Sequence, residues 1–185
     1  MEFQPLSAPG LVLNQWRAED VEDVTAACQD PEIGRWTRVP WPYTREHAVA
    51  FLEIVGPHWA EDSAYNWAIR RTPAGPPIGS IGLKDVNLEE GTAEVGYWIA
   101  AAARGQGVAT AATIAVVNWA LDPAGLGLRR VDWCAAVGND ASRVIAEKAG
   151  IKVLGTKPID PAAPCGQCNT EMWYGSATAS AAPTA

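Results

Sequence analysis

Residues 104–110 read Arg104-Gly105-Gln106-Gly107-Val108-Ala109-Thr110. An apolar run with strand character, Ala93 to Ile99, precedes them. A run with helical periodicity, Val108 to Leu121, follows. Two glycines at such a junction let the backbone approach a ligand closely, because no Cβ stands in the way. A helix starting there leaves its first N–H groups without intrahelical partners. Together with the helix dipole, those groups form a site for an anion such as pyrophosphate. Arg104 adds a cation at the mouth. The segment predicts a phosphate-bearing cofactor held at Arg104, Gly105, Gln106, Gly107, Val108, Ala109 and Thr110.

Two familiar phosphate loops do not fit. No Gly-Lys-Ser/Thr triplet follows Gly107, as a P-loop needs. A dinucleotide fingerprint needs a third Gly or Ala where Thr110 stands. Instead, Arg104-x-x-Gly107-x-Ala109 resembles the Arg/Gln-x-x-Gly-x-Gly/Ala signature of the GNAT acyltransferases. Three further stretches, in the same order, resemble the RimJ/RimL-like branch of that family. Ala93 to Ile99 looks like the strand before the cofactor loop. Val137-Gly138-Asn139-Asp140-Ala141-Ser142, leading to Ala146 through Ile151, looks like the branch's Asn-x-x-Ser element. Arg35-Trp36 and Trp41-Pro42-Tyr43 look like its substrate-side loop. The resemblance runs over about residues 10 to 174. It implies a mixed α/β fold, the GNAT fold, whose central, mostly antiparallel sheet is flanked by helices and splays to admit a pantetheine arm. It also implies acetyl-coenzyme A as co-substrate.

Composition sets the outer bounds. A chain of 185 residues suits one domain, and 48% hydrophobic residues suits a soluble globular protein. The formal charge is −7 and no Lys/Arg cluster is visible, which argues against nucleic-acid binding. An acidic surface favours a cationic substrate, though only weakly. Met1 to Gly10 has neither a basic nor an apolar signal-peptide region. No apolar stretch reaches the roughly 18 residues of a membrane span. A cytoplasmic protein with reduced cysteines and no membrane partner is expected.

Along the chain, Gly10 to Trp16 reads as a first strand and Ala18 to Cys28 as an amphipathic helix. Asp30 to Tyr43, punctuated by Pro31, Pro40 and Pro42, reads as a loop. Thr44 is an N-cap for a second helix that Pro57 ends or bends. Strands follow at Ala64 to Arg70, Ile78 to Val86 and Thr92 to Ile99. Arg129 to Ala136 alternates as a strand. Asn139 caps a helix ending near Gly150, and strands follow at Ile151 to Thr156 and Asn169 to Tyr174. Residues 1–175 form one domain. The Ala/Ser/Thr/Pro stretch of residues 176–185 has nothing to bury and is predicted to be disordered.

Acyl transfer from a thioester to an amine needs a neutral amine, a stabilised oxyanion and a protonated or tolerated thiolate. Strand alternation puts Glu94, Gly96 and Trp98 on one face and Val95, Tyr97 and Ile99 on the other. The resemblance makes Glu94 the candidate base; a carboxylate that only orients substrate is an equal alternative. It makes Ser142 the candidate near the coenzyme A sulfur, against an ordinary helix-start serine. Asn139 is a helix cap that the resemblance also sets against pantetheine, and it implies that the backbone of Tyr97, Trp98 and Ile99 is a ladder for the pantetheine amides. Arg35, Trp36, Trp41 and Tyr43 are expected to line the acceptor cleft together with Glu94, against aromatic packing of their loop onto the sheet. Cys165-Gly-Gln-Cys168 reads as a loop before the last strand, since a structural zinc wants four ligands. No metal is expected.

The acceptor is expected to be a protein N-terminus or a small-molecule amine. The branch admits a homodimer, though no interface stripe is visible. The alternative to an enzyme is a module that binds coenzyme A and senses or docks without turnover. The presence of both Glu94 and Ser142 argues against it.

Overall fold

The computed structural model describes residues 1–159 and 171–179. One eight-stranded sheet runs through it: β1 (Leu6–Ala8), β2 (Leu11–Asn14), β3 (Tyr65–Arg70), β4 (Gly79–Asn87), β5 (Thr92–Ile99), β6 (Arg130–Ala136), β7 (Lys152–Pro158) and β8 (Glu171–Thr178). The spatial order is β1-β2-β3-β4-β5-β6-β8-β7. Every neighbouring pair is antiparallel except β5 and β6. The helices are α1 (Val21–Ala27), α2 (Pro31–Trp36), α3 (Arg45–Ala60), α4 (Val108–Leu121) and α5 (Asp140–Lys148).

The parallel pair is the feature that matters. β5 and β6 are in register only from Thr92 opposite Arg130 to Glu94 opposite Asp132. Beyond that, β5 pairs only with β4, and β6 only with β8. The two strands then no longer pair with each other. This is the splay that the resemblance implies.

The alternation of β5 divides the core in two. Val95 and Ile99 join a large apolar cluster with Val108, Ala112 and Val116 of α4. Trp98 joins a second cluster with Val24 of α1, Ile33 of α2, and Ala48 and Val55 of α3. So α1 to α3 lie on the Glu94 face, and α4 and α5 on the Tyr97 face. On the Glu94 face, Asp20 and Arg70 form a buried ion pair, 2% and 0% exposed, which fastens the start of α1 to β3. Arg70 also donates to the carbonyl of Gly75.

Two sequence expectations need correction. Asp30 to Tyr43 is not all loop: Pro31–Trp36 is α2, capped by Asp30 accepting from Glu32 N at 2.9 Å, with Pro31 at the first helical position. Pro57 falls in the last turn of α3, which ends at Ala60; so near the helix end the ring costs little more than one backbone bond. The last strand does not stop at Tyr174 but runs to Thr178, so residues 176–178 are not tail. Ala177 is buried opposite Val131, and a Cβ on Gly175 would stand 2.5 Å from the Lys152 carbonyl. The small residues there serve close strand packing. The first strand is also preceded by a short one, Leu6–Ala8, pairing with Leu11–Leu13. Cys165, Cys168 and the predicted strand start at Asn169 lie outside the described residues.

Candidate active site

The loop after β5 turns twice through left-handed backbone, at Gly105 (φ +72°) and Gly107 (φ +73°). A Cβ at either position would meet nothing within 4 Å, so the space above both glycines is open. Gly107 is the N-cap of α4 and supplies no capping side chain; no acidic residue sits in the first turn. The first helical bond closes from Ala111 N to Gly107 O, at 3.0 Å. The N–H groups of Val108, Ala109 and Thr110 thus lack helical acceptors, and an anion suits them. These residues fit the pyrophosphate of coenzyme A.

Arg104 is not the open cation that the sequence suggests. Its Nε donates to the Ile99 carbonyl at 3.0 Å, and its guanidinium pairs with Asp30 at 2.8 Å. It ties the cofactor loop to the cap of α2, and it engages one carbonyl of the expected pantetheine ladder. Gln106 donates to the Ala102 carbonyl and accepts from Arg71.

Glu94 and Ser142 stand on opposite sides of the sheet beside the splay. Glu94 is partly exposed. Its Oε1 receives the Lys84 ammonium at 2.7 Å and the Cys134 thiol at 3.1 Å, one from each neighbouring strand. Ser142 lies in the first turn of α5, where the Asn139 side chain accepts from its N–H at 3.2 Å. Its hydroxyl oxygen is 2.9 Å from the Tyr97 hydroxyl and accepts from the Trp133 indole at 3.2 Å. An indole only donates, whereas a phenol and an alcohol can exchange roles, so a proton can pass between Tyr97 and Ser142. Burial raises the Tyr97 pKa to about 12 and outweighs the opposing hydrogen bonds from Ser142 and Trp133. Its phenol is therefore protonated at neutral pH.

The expected acceptor-side residues divide. Trp36 reaches toward the β6–α5 turn: its ring comes within 3.8 Å of where a Cβ on Gly138 would stand. Arg35 stacks on that ring at 4.5 Å, and the Trp36 indole donates to Glu32. Trp41 is 39% exposed and packs against Gly34. Tyr43 is no cleft wall. It is buried in the second cluster with Cys28, and burial followed by the Cys28 charge raises its pKa.

Sequence reasoning missed Lys84, Cys134, Trp133 and the Tyr97 hydroxyl. Alternation alone would have put Cys134 on the Glu94 face and Trp133 on the Tyr97 face once the parallel register was known. A separate surface groove of about 620 Å³ runs between α5 and the β7–β8 hairpin, lined by Arg143, Glu147, Lys152, Leu154 and Trp173. It contains none of the residues above. Among the described residues, no cluster of His, Cys, Asp or Glu could hold a metal, and no helix is long and apolar enough to cross a membrane.

A strand that leaves its parallel neighbour, a glycine loop capping the next helix, and a carboxylate and a hydroxyl on either side form an arrangement that suits an acyltransferase using a coenzyme A thioester. Residues 10–152 match the family described as the acetyltransferase (GNAT) domain. The chain belongs to the GNAT acetyltransferase family. It is similar to YdaF of Bacillus subtilis strain 168, provisionally named a ribosomal N-acetyltransferase: 41% identity over 76 residues, 41% of this chain and 40% of that protein. It is also similar to YoaA of the same organism, an uncharacterized N-acetyltransferase, with 26% identity over 83% of this chain and 85% of that one. Among solved structures, RimJ of Mycobacterium smegmatis in complex with CoA-disulfide superposes with a TM-score of 0.79 at 16% identity, covering 98% of this chain and 88% of that one. That likeness establishes the shared fold.

Proposed function

We propose that this chain is a cytoplasmic acetyl-coenzyme A-dependent N-acetyltransferase acting by direct attack in a ternary complex, and that its acceptor is the N-terminal amine of a protein. The carrying observation is the splay between β5 and β6, with an anion-ready loop at its end and Glu94 and Ser142 on its two sides.

In this reading the loop at Gly105–Thr110 holds the pyrophosphate, and the pantetheine arm lies along the free edge of β5. The acceptor comes from the Glu94 face. Glu94 takes a proton from the ammonium, and the freed nitrogen attacks the thioester carbonyl. A strand N–H beside the carbonyl stabilises the oxyanion. As the C–N bond forms, the C–S bond breaks, and Ser142 gives its proton to the leaving thiolate. Tyr97 resupplies Ser142 through the 2.9 Å contact, and the second proton lost by the acylated nitrogen leaves through water, which reprotonates Tyr97 and closes the proton balance. No covalent enzyme intermediate is needed. The name of the YdaF relative supports a ribosomal protein as acceptor.

The test is thiol release from acetyl-coenzyme A with a panel of N-terminal peptides set against small amines. Turnover confined to peptides is expected. Turnover confined to small amines would replace the acceptor assignment. Binding without turnover on any amine would make the chain a coenzyme A-binding module.

A further inference from the structure

Both bonds to the Glu94 carboxylate fall on the same oxygen. Lys84 from β4 and Cys134 from β6 converge on Oε1. No hydrogen bond from any described residue reaches Oε2. The next residue on the same face of β5 is Gly96, and a Cβ built there would touch only the Lys84 stem, at 3.9 Å. Gly96 lies directly opposite Gly82, over which the Asn66 carboxamide folds. The sheet beside Oε2 is therefore bare backbone, bordered by Lys84 and Asn66.

The position of Lys84 depends on an irregularity. Asn87 lies opposite Thr92 at the turn end of the hairpin. Carried on unchanged, that register would set Lys84 against Val95, whose side chain is in the main core. A bulge between Lys84 and Asn87 shifts the pairing by one, so Lys84 meets Glu94. A one-residue shift flips a side chain to the other face, and bulges are a known means of re-aiming one. Asp85, within the bulge, takes φ +50°, a conformation that disfavours a residue with a Cβ.

We propose that Lys84 is a positioning residue for acyl transfer: it fixes Glu94 through Oε1 so that Oε2 is presented to the acceptor ammonium over Gly96. This rests on the reading that Glu94 receives the acceptor. The ammonium is drawn to the open oxygen, while Lys84 keeps the carboxylate from rotating away. The Asn66 carboxamide oxygen borders the same bare stretch and is a second acceptor for an arriving ammonium.

The experiment compares wild type with Lys84→Met, which keeps the apolar stem and removes the charge, and with Lys84→Arg. Steady-state constants are measured for a peptide acceptor and for acetyl-coenzyme A. In Lys84→Met, kcat/KM for the peptide should fall about tenfold or more with KM for acetyl-coenzyme A unchanged, and Lys84→Arg should recover most of the loss. A Lys84→Met enzyme within about twofold of wild type would overturn the proposal, as would an arginine variant no better than methionine. A wild type that turns over no amine would instead remove the reading of Glu94, and this proposal with it.

Discussion

The two faces of β5 are built differently. On the Glu94 face the strand carries a carboxylate, a bare glycine and a tryptophan, and the polar groups are partly exposed and held by charge. On the opposite face Tyr97 is largely buried and bonded to Ser142, which also accepts from Trp133; all are uncharged. The difference matches what the proposed reaction asks of each side. An ammonium arriving from water needs a carboxylate it can reach. A thiolate forming inside the splay needs a proton from a group that stays protonated. One strand, by its period of two, would serve both sides of the proposed reaction.

The comparison assumes that the Glu94 face is a fixed scaffold, and the largest expected effect tests that. Asp20→Ala leaves the Arg70 guanidinium buried without its carboxylate and should cost about 3–5 kcal/mol in denaturant unfolding. A loss below about 1 kcal/mol would mean that the pair is not holding α1 to β3. Glu94→Gln removes the base while keeping the shape; kcat should fall about 100-fold, the scale of general-base catalysis. If kcat stays within a few-fold across pH, Glu94 only orients substrate. Ser142→Ala should lower kcat about tenfold with little change in KM for acetyl-coenzyme A. Tyr97→Phe, which removes one hydroxyl behind Ser142, should cost about fivefold in kcat, the scale of one hydrogen bond. A double variant Tyr97→Phe/Ser142→Ala no slower than Ser142→Ala alone would show that Tyr97 acts through Ser142.

Much of this was legible in the sequence because it is local. The helix-starting glycines at 105 and 107, the cap at Asn139 and the alternation of β5 each depend on a few adjacent residues, and each is found where expected. What escaped depends on register or on distant packing. Lys84 reaches Glu94 only because a bulge shifts the hairpin by one residue. Ser142 reaches Tyr97 only because α5 docks behind β5, 45 positions along the chain. Arg104 read as a free cation because its partner Asp30 lies far upstream, on a helix hidden among prolines. The helix was signalled, by Asp30 before Pro31 and Glu32, but three prolines in fourteen residues spoke more loudly for a loop.

Everything above turns on a coenzyme A site at the start of α4. The direct test is calorimetric titration of acetyl-coenzyme A into the wild-type protein and into Gly107→Val, with circular dichroism to confirm that both are folded. The account predicts saturable binding by the wild type, lost in the variant, whose side chain fills the space left open at φ +73°. Equal affinity in both proteins, or no binding by a folded wild type, would contradict it.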